Sequence, residues 1–509
     1  DDGGVAGGDG CSEACAAEVG YECVNGSCGS RCGDNVMASD EECEDGNNVD
    51  GDGCSATCRC EESPCVFLVF TSVDLQSVVA GVRNGTTLLL APSGYDSTPR
   101  HRVLHIRADD VTLRYFRAGG SRMRTVLTDM SAFYGHLLRV SGKRAEISSV
   151  KFRNGVQVEV LEGGSLTLET IRANHMHIHL RGGSLTLSEC TVKREFQAPH
   201  ALDIDAERSR VVLRGFMAHD YANDDVASIR LRDSSLVITD SSIRNWQMGR
   251  PIHISGVQSN ISIADTKLSS GWAPADSGAI LKIIGEGLMV SMSTVSVESG
   301  FADKDGGGIF VEGSWIKLDV SGCSFSANIA EYSGGGLYAS GDNVHVVVDS
   351  CTFAEDWALA GTGGSLSVDG ANSSLVVTRS HMKNAFSHFG GAVYSYVDGP
   401  TSLSDCQIVD CTSSGNGGGV AVVGRPSATL LVNATLLQGN SAEKGGAVSA
   451  VGIFSRIVNS TVLSNTAIVS AGGVYFDGTA VYGLEMVHCK LSHNEARAGS
   501  GGGALIVSG

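Results

Sequence analysis

The chain has 509 residues, 42% of them hydrophobic, with 66 glycines and only 8 prolines, so it can bury a long core and is not a disordered polymer. Its formal net charge of −19 is uneven: residues 1–65 hold 16 acidic side chains against Arg31 and Arg59, a net of −14 that leaves −5 for all the rest. Nothing supplies the basic stripe that phosphate binding requires, which argues against a nucleic-acid partner, and no run of 18 apolar residues marks a membrane span.

Ten of the 16 cysteines lie in the first 65 residues: Cys11, Cys15, Cys23, Cys28, Cys32, Cys43, Cys54, Cys58, Cys60 and Cys65. That density in a loop-rich stretch predicts disulfides, an oxidising extracellular or cell-surface location, and a secretory leader in the precursor. Zinc is the rival reading, but the segment has no histidine, and its acidic, glycine-rich loops favour hard cations. The segment also repeats internally. Cys43-Glu-Asp-Gly-Asn-Asn-Val-Asp-Gly-Asp-Gly-Cys54-Ser-Ala-Thr-Cys58 aligns with residues 1–15 at an offset of 43, so the chain is expected to begin inside a module of a longer protein. This stretch resembles the cysteine-rich repeats of myxobacterial and protist surface proteins. The resemblance implies a secreted module, often present in several copies, and brings no catalytic activity.

Asn48-Val-Asp50-Gly-Asp52-Gly53 matches the opening of a calcium loop, with oxygen ligands on alternate residues and a glycine at the turn. Arg59 stands at position 12, where a bidentate glutamate is needed, so an EF-hand is not expected. A looser calcium site would use Asp45, Asn47, Asp50 and Asp52; the plainer reading is that Asp, Asn and Gly make tight turns here.

Residues 66–116 are expected to open a solenoid. From Ser72 to Val82, apolar residues at i, i+3, i+4 and i+7 predict an amphipathic helix, with Ser72 as N-cap and Asn84-Gly85 as the stop, able to cap the open end. Strands follow at Thr87–Ala91, Val103–Ile106 and Val111–Leu113. A helix followed by an apolar strand ending in Ala91-Pro-Ser-Gly-Tyr95 resembles the start of pectin-lyase-like right-handed β-helices, which implies the handedness.

Residues 117–509 predict the coils themselves, irregular at first and regular from 306. Glycine pairs return at Gly307-Gly308, Gly335-Gly336, Gly363-Gly364, Gly390-Gly391, Gly418-Gly419, Gly445-Gly446, Gly472-Gly473 and Gly502-Gly503. A period in the high twenties, built from short alternating apolar runs without helical spacing, predicts an all-β parallel β-helix in which like residues stack at about 4.8 Å. A small position between two strands is expected to form one ladder through Ile171, Cys190, Phe216, Ser241, Thr266, Val295, Cys323, Cys351, Ser380, Cys406, Ala434, Ser460 and Cys489. The glycine pairs, alternating with phrases such as Phe325-Ser-Ala-Asn328 and Leu491-Ser-His-Asn494, resemble the repeats of chlamydial polymorphic outer-membrane adhesins. The chain stops partway through a coil, so further coils or another domain are expected to follow.

Lyases and hydrolases occur on pectin-lyase-like folds, and they need clustered carboxylates for acid–base work or for calcium. The candidates are Asp109-Asp110, Asp203 with Asp205, and Asp224-Asp225, each more simply read as a solvated turn. His175-Met-His177-Ile-His179 sets three imidazoles on one strand face, able to seat a metal. Aligning the glycine pairs places these rings inside, over Val156, Val158 and Val160; their own alternation places them outside, and an exposed, metal-free row is the expectation. Cysteines 190, 323, 351, 406, 411 and 489 suit either disulfides between coils or buried thiols. Sequons at Asn25, Asn84, Asn260, Asn372, Asn433 and Asn459 are expected to carry glycans. These features predict a non-catalytic extracellular structural or adhesive rod from a large surface glycoprotein or appendage. Its partners would be other surface proteins, copies of itself in a filament, or glycans, with calcium as the one candidate cofactor. The alternative is a carbohydrate-active enzyme or lectin on the same fold.

Overall fold

A computed structural model describes the chain from residue 16 to residue 508, apart from residues 25–26, 39, 52, 63–64, 70–77, 80–81, 91–94, 97–102, 116–124, 129–135, 153–155, 194–199, 221–224, 246–248, 425–426, 479–482 and 499–502. The chain divides into two compact units, Asp1–Met217 and Ala218–Gly509, and the described strands from Val66 onward form an all-β parallel solenoid in each. No helix among the described residues is long and apolar enough to cross a membrane.

The first unit opens with the disulfide-rich stretch. Tyr21–Val24 pairs antiparallel with Ser27–Ser30, and disulfides join Cys23 to Cys28, Cys32 to Cys58, Cys43 to Cys54, and Cys60 to Cys65. Cys11 and Cys15 lie outside the described residues. The solenoid begins directly after Cys65, where Val66–Val69 pairs parallel with Thr87–Leu90, which pairs in turn with Thr112–Tyr115. The helix expected over 72–82 falls largely outside the described residues. Of its apolar stripe, Val78, Val79 and Val82 are described, and all three are buried.

One coil of the second unit shows how sequence dictates the cross-section. Ile309–Ser314 belongs to sheet one, Ile316–Ser321 to sheet two, and the short pieces Ser324–Ser326 and Ile329–Ala330 to sheet three. In Ile316-Lys-Leu-Asp-Val320 the side chains alternate, with Ile316, Leu318 and Val320 buried inside and Lys317 and Asp319 on the outer face. The next coil repeats the pattern in register, Leu318 on Val346 and Val320 on Val348, and Phe325 stacks on Phe353 with ring centroids 4.4 Å apart. Each such side chain gains roughly 1.5–3 kcal/mol from burial, and the strands of this coil are hydrogen-bonded to the coils before and after it.

The corner between sheets two and three turns on one residue in the left-handed region, among them Asp240, Asp265, Arg379, Asp405 and Asn459. The residue after it points inward and carries the predicted small ladder. Ser380 Oγ, for example, donates to Thr378 O at 2.8 Å and accepts the Cys351 N–H of the preceding coil at 3.0 Å. One expected rung needs correction. Ala434 is itself the corner residue, with φ 47°, and the ladder position belongs to Thr435, whose hydroxyl accepts the Cys406 N–H.

The glycine pairs stand where the chain enters sheet one. Gly363 has φ +60°, and a Cβ on Gly364 would come within 2.4 Å of Gly391 O and 2.6 Å of Phe386 O. Only glycine allows that approach of backbone to backbone.

Candidate functional site

In the first unit, sheet one carries the histidine row. Met176, Ile178 and Leu180 are buried, so alternation along Met176–Arg181 turns His177 and His179 to the outer face. Alignment by glycine pairs fails because the turn shortens: four residues separate Val160 from Ser165, but only three separate Leu180 from Ser184. The true register sets Val156 beside Met176, Gln157 beside His177 and Glu159 beside His179. On the other side it sets His177 beside Asp203 and His179 beside Asp205, bringing together two motifs that the sequence presents separately.

The contacts follow that register. His177 Nδ1 lies 3.0 Å from Asp203 Oδ2, His179 Nδ1 lies 3.3 Å from Asp205 Oδ2, and the two Nε2 atoms face each other at 2.5 Å. His175 turns its Nδ1 to the His200 carbonyl at 2.6 Å. Glu159, in the preceding coil, is held by Arg139 at 2.7 Å. Burial, followed by the charge of the neighbouring His177 ring, holds the His179 imidazole below the ordinary histidine range. Burial lowers His175 as well, with the His200 carbonyl opposing it.

The other carboxylate candidates divide. Asp110 pairs with Arg144 at an exposed turn with φ 59°, and Asp109 accepts the Lys143 N–H at 2.7 Å, as turn residues do. Asp225 departs from the solvated-turn reading. Arg250, itself 8% exposed, reaches it at 2.8 Å and Asp276 at 2.7 Å, and Lys282 adds a 2.7 Å contact to Asp276. Burial acts to raise the pKa of both carboxylates; His253 and Arg250 hold Asp225 below the usual range, and Lys282, Arg250 and the Ser277 N–H hold Asp276 below it. Such a desolvated network fixes structure and is fully engaged. Asp224 lies outside the described residues.

Three members of the expected calcium set each turn one side-chain oxygen to the backbone. Asp45 Oδ1 accepts the Asn47 N–H at 3.2 Å, Asn47 Oδ1 the Val49 N–H at 2.7 Å, and Asp50 Oδ1 the Ala56 N–H at 2.7 Å. Glu61 accepts from Gly51 at 2.6 Å and Gly53 at 2.7 Å. Asp52 lies outside the described residues, as does Asn25 among the sequons. Asn84, Asn260, Asn372 and Asn459 are exposed, and Asn433 is half-buried. The six solenoid cysteines are free thiols, so the disulfide alternative does not hold for them.

The second unit carries a feature the sequence reading missed. On the outer face of sheet three, Trp272, Phe301, Ile329, Trp357 and Phe386 are successive neighbours in register. Trp272, Phe301 and Trp357 are 42%, 36% and 41% exposed. The indoles are fixed by hydrogen bonds, Trp272 Nε1 to Asp303 Oδ1 at 3.3 Å and Trp357 Nε1 to Asn384 O at 3.2 Å. The signal was present: each member stands four residues after an inward apolar residue of sheet three, namely Leu268, Val297, Phe325, Phe353 and Met382.

Residues 14–59, the stretch with the cysteine-repeat signature, match the family model described as a domain of unknown function, DUF4215. No curated protein matches the chain. Among solved structures it is similar to a rhamnogalacturonan lyase at 11% identity and TM-score 0.29, over 49% of this chain and 75% of that one. It is also similar to tailspike protein 3 of bacteriophage CBA120 at 11% identity and TM-score 0.32, over 77% of this chain and 59% of that one. A third is a mannuronic acid-specific polysaccharide family 6 lyase from human gut microbiota, at 12% identity and TM-score 0.28, over 83% and 82%. Likenesses this distant bear on no functional statement.

Proposed function

We propose that this chain is a non-catalytic extracellular adhesive or structural solenoid, and that it binds its partner through the aromatic row of sheet three in the second unit. That row is the observation that carries the reading. Large apolar rings left about two-fifths exposed on the outer face lie outside the solenoid core, and pinned Trp and Phe side chains are the usual anchors of binding surfaces. Coil stacking repeats them at about 4.8 Å, which suits an extended partner such as a glycan chain or a strand of another surface protein. Four disulfides agree with folding in an oxidising compartment, and glycans on Asn84, Asn260, Asn372, Asn433 and Asn459 belong to the same proposal. The likeness of the glycine-pair and Phe-x-x-Asn phrases to chlamydial adhesins supports a surface-exposed binding role.

The test compares the native chain with Trp272→Ala/Trp357→Ala for binding to cell surfaces and to immobilised polysaccharides. Loss of binding in the variant, without loss of fold, is expected. Incubation with acidic polysaccharides, with and without calcium, completes the test: release of unsaturated or reducing ends would overturn the non-catalytic reading.

A further inference from the structure

We propose that His177, His179 and Asp205, on the outer face of sheet one in the first unit, bind a divalent transition-metal ion of the zinc class, with Asp203 as the positioning residue behind His177.

Placement comes first. The strand Met176–Arg181 is hydrogen-bonded to Val156–Val160 on one side and Leu202–Glu207 on the other, and Met176, Ile178 and Leu180 anchor its inner face. The backbone positions of the two histidines and the aspartate are therefore fixed. One ligand atom from each of the three lies within 4.8 Å of the others. Ligands at 2.0–2.1 Å in a tetrahedral zinc site stand about 3.3 Å apart. Asp205 Oδ2 lies 3.3 Å from His179 Nδ1, the ring nitrogen turned away from His177, and joins the set by turning from Nδ1 toward Nε2. Opening the 2.5 Å gap between the two Nε2 atoms to that value takes a rotation of the rings and no movement of the strand.

Proton bookkeeping shows why a cation belongs there. A neutral imidazole carries one N–H, and an ionised carboxylate can only accept. With Asp203 and Asp205 each facing an Nδ1, both rings carry their hydrogen on Nδ1 and present two Nε2 lone pairs to each other. That arrangement is repulsive until a proton or a metal ion enters. Asp203, Asp205 and Glu159 flank the pair and offer negative charge to a bound cation, with Arg139 engaged by Glu159.

The donor set selects the class of metal. Two imidazoles and a carboxylate suit zinc and its neighbours, whereas calcium and magnesium need oxygen ligands in greater number. Asp203, 8% exposed and 3.0 Å from His177 Nδ1, is placed as the carboxylate that orients a metal-bound histidine. The side chains of His177, His179 and Asp205 remain 29%, 38% and 32% exposed, so a fourth position opens to solvent and is free for water or a donor group from another molecule.

The experiment titrates zinc into the chelator-treated full chain by calorimetry at neutral pH, alongside His177→Ala/His179→Ala, His179→Gln and Asp203→Asn. A single site lost in the double variant is expected, with affinity about 10–100-fold weaker in Asp203→Asn. Cobalt(II) should give a ligand-field absorption band in the native chain that both histidine variants lack. Buried thiols and acidic loops are common to all these proteins and cannot produce the difference. Equal zinc uptake by the native chain and either histidine variant, or no uptake by the native chain, would overturn the proposal and leave a shared proton between the rings. Should the double variant not fold, His179→Gln, altered at an outward-facing position alone, decides the matter by the same criterion.

Discussion

Asn328 Nδ2 donates to Asp356 Oδ1 at 2.9 Å inside the solenoid, and the Asn328 N–H donates to the same oxygen at 3.0 Å. The contact belongs to an interior ladder. Asn440, Asn465 and Asn494 occupy the equivalent position in later coils, and each side-chain amide donates to a carbonyl of the preceding coil, Ile408, Leu437 and Val462. Asn328 does the same to Val297 O at 3.0 Å. Asp356 takes the oxygen half of this role but brings no amide hydrogens, and its Oδ2 is buried without a hydrogen-bond partner. Burial pushes its pKa up to about 8, against the hydrogen bonds from Asn328, which lower it.

That shift fixes the sign of a pH dependence. Between the unfolded carboxyl value near 4 and about 8 the folded state holds a proton that the unfolded state has released, so this contribution is complete at low pH and is lost as pH rises through 8. Asp356→Asn restores the ladder and removes the ionisation. We expect the variant to match the native chain near pH 4 and to exceed it by roughly 3 kcal/mol or more at pH 8, measured by denaturant unfolding. Identical pH profiles for the two proteins would refute the assignment.

What the sequence disclosed follows from what leaves a periodic trace. The alternation in Ile316–Val320 has the period of a strand, and Gly363-Gly364 recurs because no side chain fits between coils, so the parallel solenoid was legible. Single-residue shifts were not. The turn before Ser184 drops one residue, which hid the facing of His177, and Ala434 resembles a small ladder residue although its positive φ makes it the corner. The meeting of His177 with Asp203 was illegible for the same reason: it depends on register across an irregular turn. The aromatic row escaped notice because its members are spread over five coils and only stacking assembles them.

Two corner positions of the solenoid should respond unequally to loss of glycine. A Cβ on Gly322, φ +59°, meets nothing within 4 Å, and its counterpart two coils on is Arg379 in the same conformation, so Gly322→Asn is expected to change stability by less than about 1 kcal/mol. Gly364→Ala drives a methyl group into two backbone oxygens and should cost about 3 kcal/mol or more. Thermal unfolding of the two variants checks the contrast, and an equal effect would contradict the close approach at Gly364.

Buried Cys351 acts as a hydroxyl would. Its Sγ donates to Asp349 O at 3.2 Å and accepts the Cys323 N–H at 3.4 Å, the bonds that serine and threonine make at other rungs. Cys351→Ser should therefore be nearly neutral, whereas Cys351→Val, better matched in volume and polarity to a core, should lose about 1–3 kcal/mol by stranding the polar groups around it. A valine variant as stable as the serine variant would show that the thiol serves only to fill space.

The acidic stretch before Val66 should depend on its disulfides more than on a bound ion. Its oxygens already cap the chain: Asp50 holds the Ala56 N–H, and Glu61 holds those of Gly51 and Gly53. Part of its negative charge is also relieved without a cation, because burial pushes the Glu41 carboxyl up to about 7. The Cys32–Cys58 bridge closes a 26-residue separation, which in the chain-entropy model is worth roughly 3 kcal/mol. We expect reduction to open this stretch to protease, while the solenoid after it, with its described cysteines already free thiols, stays intact. Chelation should change little, and a non-reducing peptide map should return the pairs 23–28, 32–58, 43–54 and 60–65. Calcium-binding heat in the folded chain, together with faster cleavage before residue 65 on chelation, would assign Asp45, Asn47, Asp50 and Asp52 to an ion after all, because binding to the folded form alone stabilises it by about 2.7 kcal/mol at a hundredfold excess over Kd.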